Sequence, residues 1–427
     1  MRTAVYCVAL LAVACLAPGA RGEDWPGFRG PNGSGVSSEA GLPLTWSDTE
    51  NIAWKAELPG RGSSSPIVSG DRVFVTCYSG YGLDPWNPGD PEKLTRHLAC
   101  FSLRDGKALW QKSVPATQPE DPYQGQITEH GYASSTPAAD AQRVFVFFGK
   151  SGVLAFDREG KQLWQTSVGT GSAMMGRGSG TSLLLHKNLV IVNANAESEA
   201  LLALDQQTGR EVWRAEAKGY SGSYSTPVLV EKSRGKQELV VYMPDEVWAL
   251  DPDKGGLVWY CAGMRGEPIT GLVAAEGIVY AAGGGMMGSG STAIRAGGRG
   301  DVSASHTVWK QSAGSYIPSP VAVGGHVYWV DERGVACCLK AGTGEQVYRQ
   351  RLPGAGGVYA SAVAADGKLY VVTRRNGTFV LAAGPEFKVL AHNRLPSDST
   401  DFNASPALTS SGLLLRSNRA IYCIQAK

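Results

Sequence analysis

Eight short apolar runs recur along the chain: Val73-Phe74-Val75, Val144-Phe145-Val146, Leu189-Val190-Ile191-Val192, Leu239-Val240-Val241, Ile278-Val279-Tyr280, Val327-Tyr328-Trp329, Leu369-Tyr370-Val371-Val372 and Leu413-Leu414-Leu415. Runs this short, set among glycine and polar turn residues, read as strands buried on both faces. In front of several stands a small-residue cluster that opens a preceding strand: Ser64-Ser65-Pro66, Ser135-Thr136-Pro137, Ser225-Thr226-Pro227, Ser319-Pro320 and Ser405-Pro406.

A second hairpin follows the apolar run. Its best copy is Ala203-Leu204-Asp205-Gln206-Gln207-Thr208-Gly209-Arg210-Glu211-Val212-Trp213, in which a strand, a glycine turn and a second strand lead to a large aromatic. Ala249-Leu250-Asp251 with Gly255 and Trp259 keeps the spacing, and Ala155-Phe156-Asp157 with Gly160 and Trp164 is one residue shorter. Cys100-Phe101-Ser102 with Gly106 and Trp110, and Cys338-Leu339-Lys340 with Gly344 and Tyr348, are weaker copies. Each unit therefore has four strands at about 51 residues per unit, a propeller-blade period. The eighth unit stops after Ala420-Ile421-Tyr422-Cys423-Ile424, so its fourth strand is expected from Asn51–Leu58 near the N-terminus, with Trp54 as the aromatic. The prediction is an all-β, closed eight-bladed β-propeller of four-stranded antiparallel blades, the last completed by an N-terminal strand. Trp54, Trp110, Trp164, Trp213, Trp259 and Trp309 are expected to lie between blades as structural wedges.

The first residues read differently. Arg2, the apolar stretch Ala4–Ala17 and Ala20-Arg21-Gly22 form an export signal cleaved before Glu23. A rival reading acylates Cys15, but Ala12-Val13-Ala14-Cys15 lacks the usual leucine at −3. The organisation expected is a signal peptide over 1–22, a leader over 23–50 that packs on the propeller, and one domain over 51–427. Localisation follows as the periplasm or cell envelope, or secretion.

Composition agrees. Glycine supplies 55 of 427 residues without a three-residue period, and 43% of residues are apolar against 18% charged. Collagen and wholesale disorder are excluded, and many tight turns are implied. Arg2 and Arg21 leave with the signal, which reduces the 40 basic residues to 38 and matches the 38 acidic ones. A neutral chain gives no reason to expect nucleic-acid binding. A monomer without a spanning segment after signal removal is expected.

The unit at 203–213 resembles the repeat of pyrroloquinoline-quinone (PQQ)-type propellers. Trp25-Pro26-Gly27-Phe28-Arg29-Gly30-Pro31 and His130-Gly131-Tyr132-Ala133-Ser134-Ser135-Thr136-Pro137 resemble a secreted bacterial subgroup, the PQQ-binding-like β-propeller repeat proteins. That superfamily holds both quinoprotein alcohol dehydrogenases and the non-catalytic propeller lipoprotein of the outer-membrane barrel-assembly machinery. The resemblance implies the fold and leaves activity open.

The chemistry is sparse. Six cysteines remain after signal removal: Cys77, Cys100, Cys261, Cys337, Cys338 and Cys423. Adjacent Cys337-Cys338 invites comparison with the vicinal disulfide over the quinone in the dehydrogenases. The register argues against it, because Cys338 fills the small buried slot of a third strand and adjacent strand residues point apart. The histidines form no metal motif, and no metal site is expected. Long connections such as Tyr78–Leu98, Gln111–Tyr132, Thr166–Gly180 and Ala281–Thr292 should share one face with the channel mouth, and binding residues concentrate on such loops. Glu129, His130, Arg295, Arg299, Asp301, Arg333, Arg374 and Arg375 are the candidate binding set, with no catalytic residue named. The function expected is a non-enzymatic binding or scaffolding propeller for a protein, peptide or glycan. The alternative is a dehydrogenase using PQQ and calcium.

Overall fold

A computed structural model describes residues 24–426 except 173–175, 221, 233–234 and 287. The export signal and Cys15 lie outside the described residues. Every apolar run forms the second strand of a four-stranded antiparallel blade, and there are eight blades. Blade 1 comprises Ile67–Ser69, Arg72–Ser79, Thr95–Ser102 and Ala108–Pro115; these positions are called strands a to d, and later blades repeat the order. Strands a touch one another from blade 1 to blade 3 and from blade 4 through blade 8 back to blade 1, so they line the central channel. Blade 8 takes Ala407–Thr409, Gly412–Arg416 and Ala420–Ile424 as a to c, and Ile52–Glu57 pairs antiparallel with Ala420–Ile424 as its strand d. The ring is closed by the N-terminal strand, which hides the edge an open array would leave.

One register repeats in every blade. A small residue of strand c faces the aromatic of strand d: Cys100 with Trp110, Ala155 with Trp164, Ala203 with Trp213, Ala249 with Trp259, Ala293 with Trp309, Cys338 with Tyr348 and Cys423 with Trp54. Blade 7 keeps the position with Val380 and Ala391. The pairing then slips by one, so the residue before the aromatic (Leu109, Leu163 or Val212, for example) is a bulge left facing water. A bulge adds local twist, and here it aims the following indole at the next blade.

Five indoles make the same docking. Trp54, Trp110, Trp164, Trp213 and Trp309 donate Nε1–H to the carbonyls of Leu103, Arg158, Gln206, Pro252 and Ala341, each in the c–d turn of the next blade, at 2.8–3.1 Å. Each ring also lies on the turn glycine (Gly106, Gly160, Gly209, Gly255 or Gly344), where a Cβ would come within 2.9 Å of it. These glycines also hold positive φ, so two requirements exclude other residues. Trp259 departs from the pattern. Blade 5 carries an insertion between strands c and d, of which Gly300–Asp301 pairs parallel with strand d of blade 4 (Leu257–Ala262), and Trp259 donates instead to Glu238 of its own blade at 2.8 Å.

The leader is part of the ring. Trp25 bridges Val68 of blade 1, Pro26 accepts from Ala139 of blade 2, and Gly35 and Ser37 bond Ala364 of blade 7. Arg29, fully buried, donates to the carbonyl of Pro320 in blade 6 at 2.5 Å. The segment thus crosses the channel from the face of the short a–b turns, and Phe28 projects into it.

Candidate functional site

The d-to-a connections all emerge on the face opposite those turns, because alternate connections of an up-and-down sheet leave by opposite ends. Around the channel they build a funnel of about 230 Å³, with Phe28 on its floor. A ring of hydroxyls forms its waist. Backbone N–H of Ser65 donates to Thr136 Oγ1, Thr136 to Ser182, Ser182 to Thr226, Gly271 to Ser319, Ser319 to Ser361 and Ser361 to Ser405, all at 2.8–3.0 Å. The small-residue clusters of the sequence are therefore blade-to-blade links.

The residues two before each ring position face the same way, as extended-chain alternation requires, and all eight, Gly180 with its backbone, line the funnel. They divide it in two. Blades 4 to 7 contribute Tyr224, Ile269, Ile317 and Tyr359, an apolar crescent. Blades 8, 1, 2 and 3 contribute Asn403, Ser63, Ser134 and Gly180, a polar and open one.

Ionised groups at the mouth are paired among themselves. Arg177 forms a buried salt bridge with Glu267. Arg374 reaches Glu129 at 2.6 Å and Asp401 at 3.3 Å, with its guanidinium 4.2 Å above the Tyr359 ring. Arg375 binds the other oxygen of Asp401 at 2.5 Å. His130 lies between Ser134 Oγ, 2.6 Å from Nδ1, and the carbonyl of Arg177, 2.9 Å from Nε2. A carbonyl only accepts, so Nε2 carries the proton and Nδ1 takes the hydroxyl of Ser134. Burial lowers the basicity of His130, against smaller opposing contributions from backbone bonds and Glu129. Gln126 donates to the Tyr316 hydroxyl at 2.9 Å across the mouth.

The structure sorts the sequence candidates by face. Glu129, His130, Arg374 and Arg375 converge at the funnel mouth. Arg333 shares that face but is tied to Asp331 and Glu332 of its own loop. Arg295, Arg299 and Asp301 do not join them: Arg295 ends strand c of blade 5, and the insertion that follows carries the other two on the short-turn face. A long c–d connection was the one arrangement that the two-face rule for loops did not anticipate. Cys337 and Cys338 lie in strand c of blade 6, in different interblade cores, and burial pushes both thiols up to about 12. Sequence reasoning missed Phe28, Arg177, Tyr224, Tyr316, Tyr359 and Asn403. For Tyr224, Tyr359 and Asn403 the usable signal is the fixed offset of two residues from a Ser or Thr of the ring; Phe28, Arg177 and Tyr316 carry no such signal.

The profile of the family described as outer membrane protein assembly factor BamB matches residues 36–259 and 299–384. The chain belongs to the BamB family. Among solved structures similar to this BamB-family propeller, BamB from Moraxella catarrhalis aligns with a TM-score of 0.59 and 13% identity, covering 87% of this chain and 98% of that one. A computationally designed protein, Ika8, aligns at 0.55 and 13% identity, over 88% of this chain and all of its own. These likenesses concern fold. A polyvinylalcohol dehydrogenase from Pseudomonas sp is 23% identical over 215 residues, 45% of this chain but 29% of that protein.

Proposed function

We propose that this chain is an exported, non-catalytic binding propeller that seats its ligand in the funnel of the long-loop face. The observation that carries the reading is the funnel itself: a one-ended, two-sided pocket whose charged groups are paired with one another and positioned by packed blades. Its family includes an assembly factor by description, which suits a binding role in the cell envelope.

The second reading, a dehydrogenase using PQQ and calcium, has the kinship with polyvinylalcohol dehydrogenase in its favour. The residues present do not fit that cofactor. Its carboxylates call for unengaged cations, whereas Arg177 and Arg374 are committed to Glu267, Glu129 and Asp401. Among the described residues no three His, Cys, Asp or Glu side chains gather where a cation would need oxygen ligands. The adjacent cysteines belong to separate cores and cannot form a lid.

Titration of the mature protein with the quinone, with and without calcium, tests the choice through tryptophan quenching. The expected outcome is no saturable quenching and no dye-linked alcohol oxidation. Saturable, calcium-dependent binding would overturn the proposal.

A further inference from the structure

We infer that the funnel takes a neutral sugar ring, a pyranose held with its C–H face on the apolar crescent and its hydroxyls toward the polar one. The inference rests on the binding reading above and names the ligand class for that site.

Three observations lead there. The first is the division of the lining. A ligand that fits must have one apolar side and one hydrogen-bonding side within a space of about 230 Å³. A pyranose has that build, since its axial C–H bonds form a patch that packs on rings such as Tyr224 and Tyr359.

The second is the donor and acceptor inventory. Thr136, Ser182, Thr226, Ser319, Ser361 and Ser405 each accept a backbone N–H, which leaves the O–H of each to donate. No acceptor for these six O–H groups exists among the described residues. Gln126 adds a planar amide at the rim, whereas the amide of Asn403 is engaged by Arg374, the Glu129 carbonyl and Ser63 Oγ. Hydroxyls, which both donate and accept, satisfy such a mixed lining without leaving a buried group unpaired.

The third is charge. An anion entering the funnel would have to break Arg177 from Glu267 or Arg374 from Glu129 and Asp401, leaving a carboxylate uncompensated. A cation meets the reverse problem. Neutral ligands avoid both.

The experiment is saturation-transfer NMR and calorimetry on the mature protein. The probes are the methyl glycosides of glucose, galactose and N-acetylglucosamine, methyl glucuronide as the charged control, and a panel of short neutral peptides. Gly180→Phe narrows the funnel: the site has no positive φ and a Cβ there meets Tyr224 only at 3.7 Å, so the variant is expected to fold. At least one neutral glycoside should saturate, bind about tenfold more tightly than the glucuronide, and lose about tenfold or more in Gly180→Phe. If no neutral glycoside saturates by about 50 mM, or if Gly180→Phe binds it unchanged, the inference falls. Funnel-dependent binding of peptides instead would also overturn the sugar assignment while leaving the binding reading in place. Calcium-dependent quinone binding would overturn both.

Discussion

The guanidinium of Arg416, in strand b of blade 8, donates to the carbonyl and the hydroxyl of Ser64 at the entrance to blade 1, at 2.5 and 2.7 Å. It also reaches the carbonyl of Thr76 at 2.9 Å, and it is 1% exposed. Blades 1 and 8 are the two ends of the blade series, so this buried arginine clasps the seam of the ring. Burial lowers its pKa, opposed by Cys77 and Tyr78.

Arg416→Ala leaves the buried Ser64 carbonyl without its donor, takes from the Thr76 carbonyl one of two donors (Ser64 Oγ remains), and opens a cavity beside them. A loss of about 2–4 kcal/mol is expected, from a buried acceptor left unpaired together with the cavity. Denaturant midpoints of the two proteins measure it, and a loss under about 1 kcal/mol would show that the seam does not depend on this residue.

Two truncations separate the leader from the closing strand. Removal of residues 23–58 takes away strand d of blade 8 and should abolish cooperative unfolding. Removal of residues 23–37 keeps Ile52–Glu57 and should lower the midpoint while leaving a single transition. Calorimetric scans distinguish them, and a cooperative, monomeric product from the longer deletion would refute closure by this strand.

Trp213→Ala should cost about 3–5 kcal/mol, because it empties the space over Gly255 and frees the Pro252 carbonyl. Its neighbour Val212 is the bulged residue, 51% exposed. Val212→Ala should cost less than about 1 kcal/mol. Denaturant midpoints measure both, and a loss under about 1 kcal/mol for Trp213→Ala would show that the indole does not wedge the blades independently of its bulge.

Glu197 is 5% exposed, and burial raises its carboxyl to about 7, against the hydrogen bond from Ser179. The unfolded group titrates at about 4.3. Between these values the folded state holds the extra proton, so stability falls as pH rises through the interval. The penalty is absent at pH 4 and complete above neutrality. Glu197→Gln should therefore unfold at a higher temperature than the parent at pH 8, with the gap closing toward pH 4. Melting curves across that range decide it, and a constant gap would assign the difference to something other than ionisation.

Much of the fold is legible because the repeat carries it: apolar strands b, glycine turns and an aromatic in strand d recur often enough to count blades and to see that the last lacks a strand. The bulge before each aromatic is not visible, since Leu109 or Val212 looks like any apolar strand residue until pairing shows the slip. Trp259 matches the motif but changes its partner because an insertion in the following blade removes the turn on which the other indoles rest. The site was half legible. Charged residues drew attention to Glu129, His130 and Arg374, yet the lining comes from Tyr224, Ile269, Ile317 and Tyr359, which resemble core residues. The sequence does not separate Arg295, Arg299 and Asp301 from the mouth, because loop length alone does not tell which end of a strand a loop leaves.

Phe28 and Arg29 give the ring a further property. A propeller with an unobstructed bore can encircle a strand and slide along it; this one is corked from below by its own chain. Whatever enters the funnel must leave by the same mouth, so no polymer can be threaded through this ring.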